Sequence, residues 1–327
     1  MPPHALLACA AAAFALSQAG PAAAQVAAFE PEDYGSAQLV VRQNVGDAAR
    51  FIAASEGGAF EPIAELSPSD RMAALARPVG RIDVLLRDPQ TGEEGASACT
   101  GALLGDGLVL TNHHCLPQDG SLEVLAASIL MDYLSLNGEG SQRFDLDPVA
   151  VDWSADLDFA VARVAGAPEA TFGTVALGAL PPGEGTARTV IHHPLGNPKV
   201  MSRFRCFAFD DGRLGPPGVA HRCDTLPGSS GSLLFDDEGV AVALHFAGGL
   251  DPVDATSFNA AVDMGAILQA SAVIAGSPAA QAVPAGGPAS DPGDAPAGDP
   301  ASAAADAPAA DDGRLDAAEM TDILRGN

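Results

Sequence analysis

Positive charge is scarce in this chain of 327 residues: Lys and Arg total 16 against 42 Asp and Glu, for a formal net charge of -26. Such a chain repels phosphate backbones and anionic headgroups, which excludes nucleic acid and an acidic membrane surface as partners. Aromatics are equally sparse at 5%, while 36 Gly and 26 Pro favour many turns over long helices. No segment reaches the ~18 apolar residues of a membrane helix. No His, Cys, Asp and Glu cluster has zinc spacing, so neither a metal nor a cofactor is expected.

An apolar run does open the chain, but it is short. Leu6 to Leu16 is followed by small residues, with an A-x-A site at Ala22-Ala23-Ala24. Residues 1–24 therefore read as a secretory signal peptide, placing the mature protein outside the cytoplasm, secreted or periplasmic. Cleavage removes Cys9 and leaves Cys99, Cys115, Cys206 and Cys223. An even count in an exported chain implies two disulfides with three possible pairings. Cys99–Cys115 and Cys206–Cys223 are preferred, because each pair flanks a compact hairpin-like stretch.

Residues 25–76 are acidic and weakly periodic, an N-terminal extension or pro-segment. Short helices are expected at Gly46–Ala54 and at Ser69–Leu75, the latter capped by Ser69. From Arg77 the pattern changes to short apolar runs parted by Gly, Pro and Asp. Strands are expected at 81–86, 98–104, 108–111, 147–151, 159–164, 187–192, 202–209, 232–235 and 240–246, with a closing helix at Met264–Ile274. Even turn spacing of this kind belongs to an all-β sandwich or barrel. Residues 276–310 are Ala, Pro, Gly, Ser and Asp, a disordered linker. The acidic tail, 311–327, carries Asp312, Gly313, Asp316 and Glu319 at the spacing of half a calcium loop. Pro308 and Ala310 stand where its first ligands would be, so no metal is expected there.

Three stretches carry chemistry: Cys99 to Cys115, ending Thr111-Asn112-His113-His114-Cys115; Asp156 to Val161; and Asp224 to Ser232, containing Gly228-Ser229-Ser230-Gly231. A serine hydroxyl is a poor nucleophile at neutral pH. It needs a base for its proton, a carboxylate to orient that base, and N–H donors for the oxyanion. The glycine-flanked serine, the histidine beside a bridgeable cysteine and the aspartate opening an apolar strand supply those groups.

Together these stretches resemble the trypsin-like serine peptidase superfamily, and especially its bacterial glutamyl-endopeptidase-like branch. Thr111-Asn112-His113-His114-Cys115 is similar to that family's Thr-Ala-Ala-His-Cys, which puts the base at His114 rather than His113. Asp158-Phe159-Ala160-Val161 is similar to Asp-Ile-Ala-Leu, favouring Asp158 over Asp156. Gly228-Ser229-Ser230-Gly231-Ser232 is similar to Gly-Asp-Ser-Gly-Gly, making Ser230 the nucleophile and the backbone N–H groups of Gly228 and Ser230 the oxyanion donors. The resemblance covers about Arg77 to Ile274. It implies two packed antiparallel β-barrels, chymotrypsin-like, over roughly 77–165 and 170–265 within a peptidase domain of residues 77–275. The Cys99–Cys115 bridge would tie down the histidine loop.

The order His, Asp, Ser separates this chain from α/β-hydrolases, whose histidine follows the serine. His192 and His193 precede Pro194-Leu195-Gly196 and read as turn or core residues. Where pancreatic-type relatives carry an aspartate that pairs with a new N-terminus, this chain has Ser229, so maturation through that ion pair is not expected. Two specificity cues conflict. Asp224 lies where trypsin selects Lys and Arg, and His245 lies where glutamyl endopeptidases bind an acidic side chain. The expected function is a monomeric secreted serine endopeptidase acting on proteins or peptides. A catalytically silent binding protein and a serine esterase are the alternatives.

Overall fold

The computed structural model describes residues 27–39, 45–179, 183–209, 212–251 and 254–282. The expected signal peptide, most of the linker and the acidic tail lie outside them. Strands dominate and fall into two antiparallel sheets, each curled toward closure. In spatial order the first runs Gln142–Leu146, Glu123–Met131, Val79–Arg87, Glu94–Gly105, Leu108–Thr111, Phe159–Arg163 and Asp152–Ser154. A bridge between Leu146 and Val164 brings its ends together. The second runs Ala208–Phe209, Gly218–His221, Asn259–Asp263, Val240–Ala247, Leu233–Phe235, Thr189–His192, Val200–Ser202 and Glu61–Pro62. Here Ala187 bridges Phe207. This is the chymotrypsin-like double barrel.

Strand period explains how so few aromatics make two cores. Along Phe159–Arg163, Ala160 and Ala162 point into the first barrel, while Phe159 and Val161 join the cluster between barrels. Leu103 and Val109 likewise face inward, and Leu104, Leu108 and Leu110 face the second barrel. That barrel contributes Ile191, Met201, Leu233, Phe235 and Leu244 to the same cluster. Strands buried on both faces need continuous apolar runs, as these segments show.

The hairpin at Gly105-Asp106-Gly107 forms as expected, all three residues having positive φ. Several boundaries differ from the sequence reading. Residues 147–151 form a turn, because Pro148 lacks an N–H and Asp147 Oδ1 accepts from Val149 N at 2.9 Å. The expected strand 202–209 breaks between Ser202 and Ala208, where Arg205 adopts φ 52° and Cys206 is bridged. The second N-terminal helix, Arg71–Ala76, is capped by Asp70, whose carboxylate accepts from Met72 N at 2.7 Å, and not by Ser69. The closing helix divides into Met264–Ala270 and Ala272–Ala275, with Ser271 Oγ capping the second part.

The N-terminal segment is woven into both barrels. Ala27–Phe29 pairs with residues 96–98 of the first, and Glu61–Pro62 pairs with Val200 and Met201 of the second. The helix Val45–Glu56 lies between these strands in sequence. Phe51 of that helix packs on Phe60, within a cluster that also holds Leu195, Val200 and Leu226. A buried charge cluster ties the parts together: Arg81 grips Asp83 through two nitrogens at 2.8 and 2.9 Å, and Arg143 reaches the same carboxylate at 2.7 Å. Arg81 also donates to the carbonyls of Ser36, Ala37 and Gly196. No described helix is long and apolar enough to cross a membrane.

Candidate active site

The first barrel supplies an imidazole and a carboxylate in contact. His114 Nδ1 lies 2.6 Å from Asp158 Oδ2, and the other carboxylate oxygen accepts from the His114 backbone N–H at 2.9 Å. Two bonds to one residue fix both the ring and its loop. Asp158 holds this pose at φ 46°, a left-handed conformation that aspartate tolerates better than most residues, and Asn112 Nδ2 binds its carbonyl at 2.8 Å. Cys99–Cys115 closes with a Cα–Cα distance of 6.3 Å, anchoring the loop to the barrel wall. His113 is occupied elsewhere: its ring stacks on Trp153 at 4.9 Å and its Nε2 accepts from Gln118 N. Asp156 is exposed on the same loop.

The second barrel brings up the serine turn. Thr100 N donates to Ser230 O at 2.8 Å, and Thr100 Oγ1 donates to Gly228 O at 2.9 Å, so the turn is docked directly on the first barrel. Cys115 Sγ lies 4.0 Å from Ser230 O, which puts Ser230 beside the residue that follows His114. The backbone curls tightly, with Gly228 at φ 97° and Gly231 at φ 85°. A Cβ on Gly228 would come within 2.5 Å of His193 O, and one on Gly231 would collide with the Thr100 carbonyl. Gly231→Ala is therefore expected to destabilise the protein by at least about 3 kcal/mol, read as a lowered thermal midpoint.

Inside the turn, Ser229, Gly231 and Ser232 each donate their N–H, to Leu226 O, His245 O and Ser229 O. The N–H groups of Gly228 and Ser230 make no backbone bond among the described residues. They are the two that the resemblance names as oxyanion donors. His114 Nε2 is buried and has no partner there either, while Ser230 Oγ donates weakly to Phe246 O at 3.4 Å.

His245 and Asp224 occupy different settings. Cys223 N donates to His221 Nδ1 at 3.3 Å, so His221 carries its proton on Nε2 and donates to His245 Nδ1 at 3.0 Å. The His245 proton must then sit on Nε2, a buried donor with the Ala260 backbone near it. Burial holds both rings neutral. His221 falls to about 3, and His245, also opposed by His221 and His114, lies well below the usual imidazole value. Asp224 is pushed up by burial, against the opposing pull of Arg50, Arg205 and Arg222. Its neighbour closes the second expected bridge, Cys206–Cys223.

Sequence reasoning missed two features. One is the His221–His245 relay, for which His221 gives no local signal beyond lying two residues before a bridged cysteine. The other is the partner of Ser229. His192 Nδ1 lies 2.7 Å from its hydroxyl, and His192 Nε2 lies 3.0 Å from Ser202 Oγ. Arg81 sits fully buried inside the strand Val79–Arg87.

A double β-barrel with a carboxylate-held histidine facing a docked serine turn defines the architecture of a chymotrypsin-like serine peptidase. Residues 99–244 match the family model described as a trypsin-like peptidase domain. No curated protein sequence matches the chain. Solved structures similar to it include the active form of the Rv3671c protease from M. tuberculosis, at 19% identity and a TM-score of 0.46, covering 61% of this chain and 82% of that one. A Glu endopeptidase in complex with MPD is 18% identical with a TM-score of 0.46, covering 58% and 86%. The HtrA-type protease AlgW with decapeptide is 14% identical with a TM-score of 0.48, covering 63% and 66%.

Proposed function

We propose that this protein is an exported serine endopeptidase in which Ser230 is the nucleophile, His114 the general base and Asp158 its orienting carboxylate. The observation that carries the reading is the doubly anchored His114–Asp158 pair with a free, buried Nε2 beside the Ser230 turn. Ser230 Oγ attacks the scissile carbonyl while its proton passes to His114 Nε2. The carbonyl oxygen becomes an oxyanion held by the Gly228 and Ser230 N–H groups. Collapse expels the amine, which takes the proton from His114, and leaves an acyl ester on Ser230. Water repeats the sequence and releases the acid. Attack requires the serine hydroxyl to turn from Phe246 O toward His114, and such catalytic bonds commonly form only with substrate bound.

Two disulfides support a site of action outside the reducing cytoplasm. One chain supplies every group named, so a monomer suffices. For specificity we favour a substrate side chain that accepts a hydrogen bond, carboxylate or carboxamide, before the cut. His245 Nε2–H is a buried donor, and Asp224 is countered by three arginines. Cleavage of a peptide library after Glu, Asp or Gln is expected. Cleavage after Lys or Arg would transfer the pocket role to Asp224. A fluorophosphonate probe should label Ser230 in the unmodified chain, and an unlabelled protein would favour a silent binding fold.

A further inference from the structure

Resting on the reading of Ser230 as nucleophile, we propose that His192 is a positioning residue: through Ser229 it holds the nucleophile turn in its oxyanion-binding shape, backed by Phe60 of the N-terminal segment.

The turn has a mechanical problem. Its two free N–H groups must face one point, yet Gly228 and Gly231 give the backbone on either side exceptional freedom. Something has to fix the residue between Gly228 and Ser230, and that residue is Ser229, which is fully buried. Its hydroxyl accepts from Leu226 N at 3.1 Å and faces His192 Nδ1 at 2.7 Å. One proton arrangement satisfies the chain: Ser229 accepts from Leu226, donates to Nδ1, and the Nε2 proton goes to Ser202 Oγ at 3.0 Å. The ring is neutral throughout the working range, because burial, and then His245, lower it to about 3. No charge needs burying, unlike an aspartate at this position, which would require a buried cation beside it.

His192 is itself fixed from three directions. It ends the strand Thr189–His192, paired with Val200 of the neighbouring strand. The next residue, His193, docks its N–H on Thr100 Oγ1 at 3.1 Å. Phe60 meets the His192 ring edge to face at 5.3 Å. That phenylalanine belongs to the cluster holding Leu195 and Leu226, which flank the turn, and Leu195 N donates to Pro227 O. Residues 45–63 are in this view a working part of the peptidase rather than a segment to be discarded.

The test uses three variants of the full chain. An asparagine amide reaches about where Nδ1 lies and a glutamine amide about where Nε2 lies. His192→Asn therefore keeps the Ser229 link, whereas His192→Gln and Ser229→Ala lose it. The latter two are expected to lower kcat about 100-fold with KM changed less than about threefold, and to slow fluorophosphonate labelling in parallel. His192→Asn is expected to keep at least about a tenth of kcat, despite a thermal midpoint lowered as much as in His192→Gln. Equal loss in Asn and Gln variants, loss that follows the thermal midpoint, or no loss at all would overturn the proposal while a labelled parent chain left the nucleophile assignment standing. A parent chain that refuses the probe removes the assignment, and the proposal with it.

Discussion

Ser230→Ala is expected to fold with an unchanged thermal midpoint and to lose about three to six orders of magnitude in turnover. The hydroxyl's recorded bond, to Phe246 O at 3.4 Å, is too long to matter for stability, and the turn is held by backbone bonds from Thr100 and to His245. Chemistry and folding therefore separate at this position. Asp158→Asn should cost about 10⁴ in kcat, since an amide cannot accept from both the ring and the His114 N–H in the present orientation. The measurement is steady-state hydrolysis of a peptide cleaved by the parent. Activity within tenfold of the parent in Ser230→Ala would end the triad assignment.

A second large effect concerns acid. His192 and His221 are fully buried and fall to about 3, and His193 and His245 also lie far below their ordinary value; burial comes first in every case. In the unfolded chain each ring takes up a proton near pH 6.5. Between that pH and about 3 the unfolded state binds more protons than the folded one, so acid favours unfolding. Stability is intact above about pH 6.5 and drains as pH falls, by up to about 1.4 kcal/mol per pH unit for each ring. Domains of this size hold only ~5–15 kcal/mol, so the buried rings together remove a large share of it. The expected unfolding midpoint lies above about pH 4, followed by circular dichroism with Trp153 fluorescence as a first-barrel reporter. His221→Gln with His245→Gln should shift that midpoint downward. A parent chain still folded at pH 3 would mean the rings are hydrated and titrate normally.

The local features of this protein were readable because their chemistry is compressed into short stretches. Thr111 to Cys115 and Gly228 to Ser232 each fit on one turn, and the Asp158 strand announces itself through its apolar run. What escaped is whatever the fold assembles from a distance. Ser229 finds His192 37 positions away and His221 finds His245 across 24, and neither separation leaves a trace in periodicity. The strands Glu123–Met131, Gln142–Leu146, Gly218–His221 and Asn259–Asp263 were also missed; the first is long and apolar, whereas the last two are short and poor in large apolar residues. The N-terminal pairing was illegible for the same reason: strands of three and two residues have no pattern, and only partner edges at 96–98 and 200–201 define them.

That pairing sets an order of assembly. Glu61 emerges early in synthesis, yet its partner Met201 follows 140 positions later. The loop to be closed is long, and nonlocal pairing of this kind slows folding. The outer rim of the second barrel stays unsealed, and Phe60 lacks the His192 ring, until the chain has been made past Met201. An early fragment thus carries His114 and Asp158 in sequence but lacks both the serine and the clasp that would steady it, so destructive chemistry is withheld from the nascent chain until its architecture is complete.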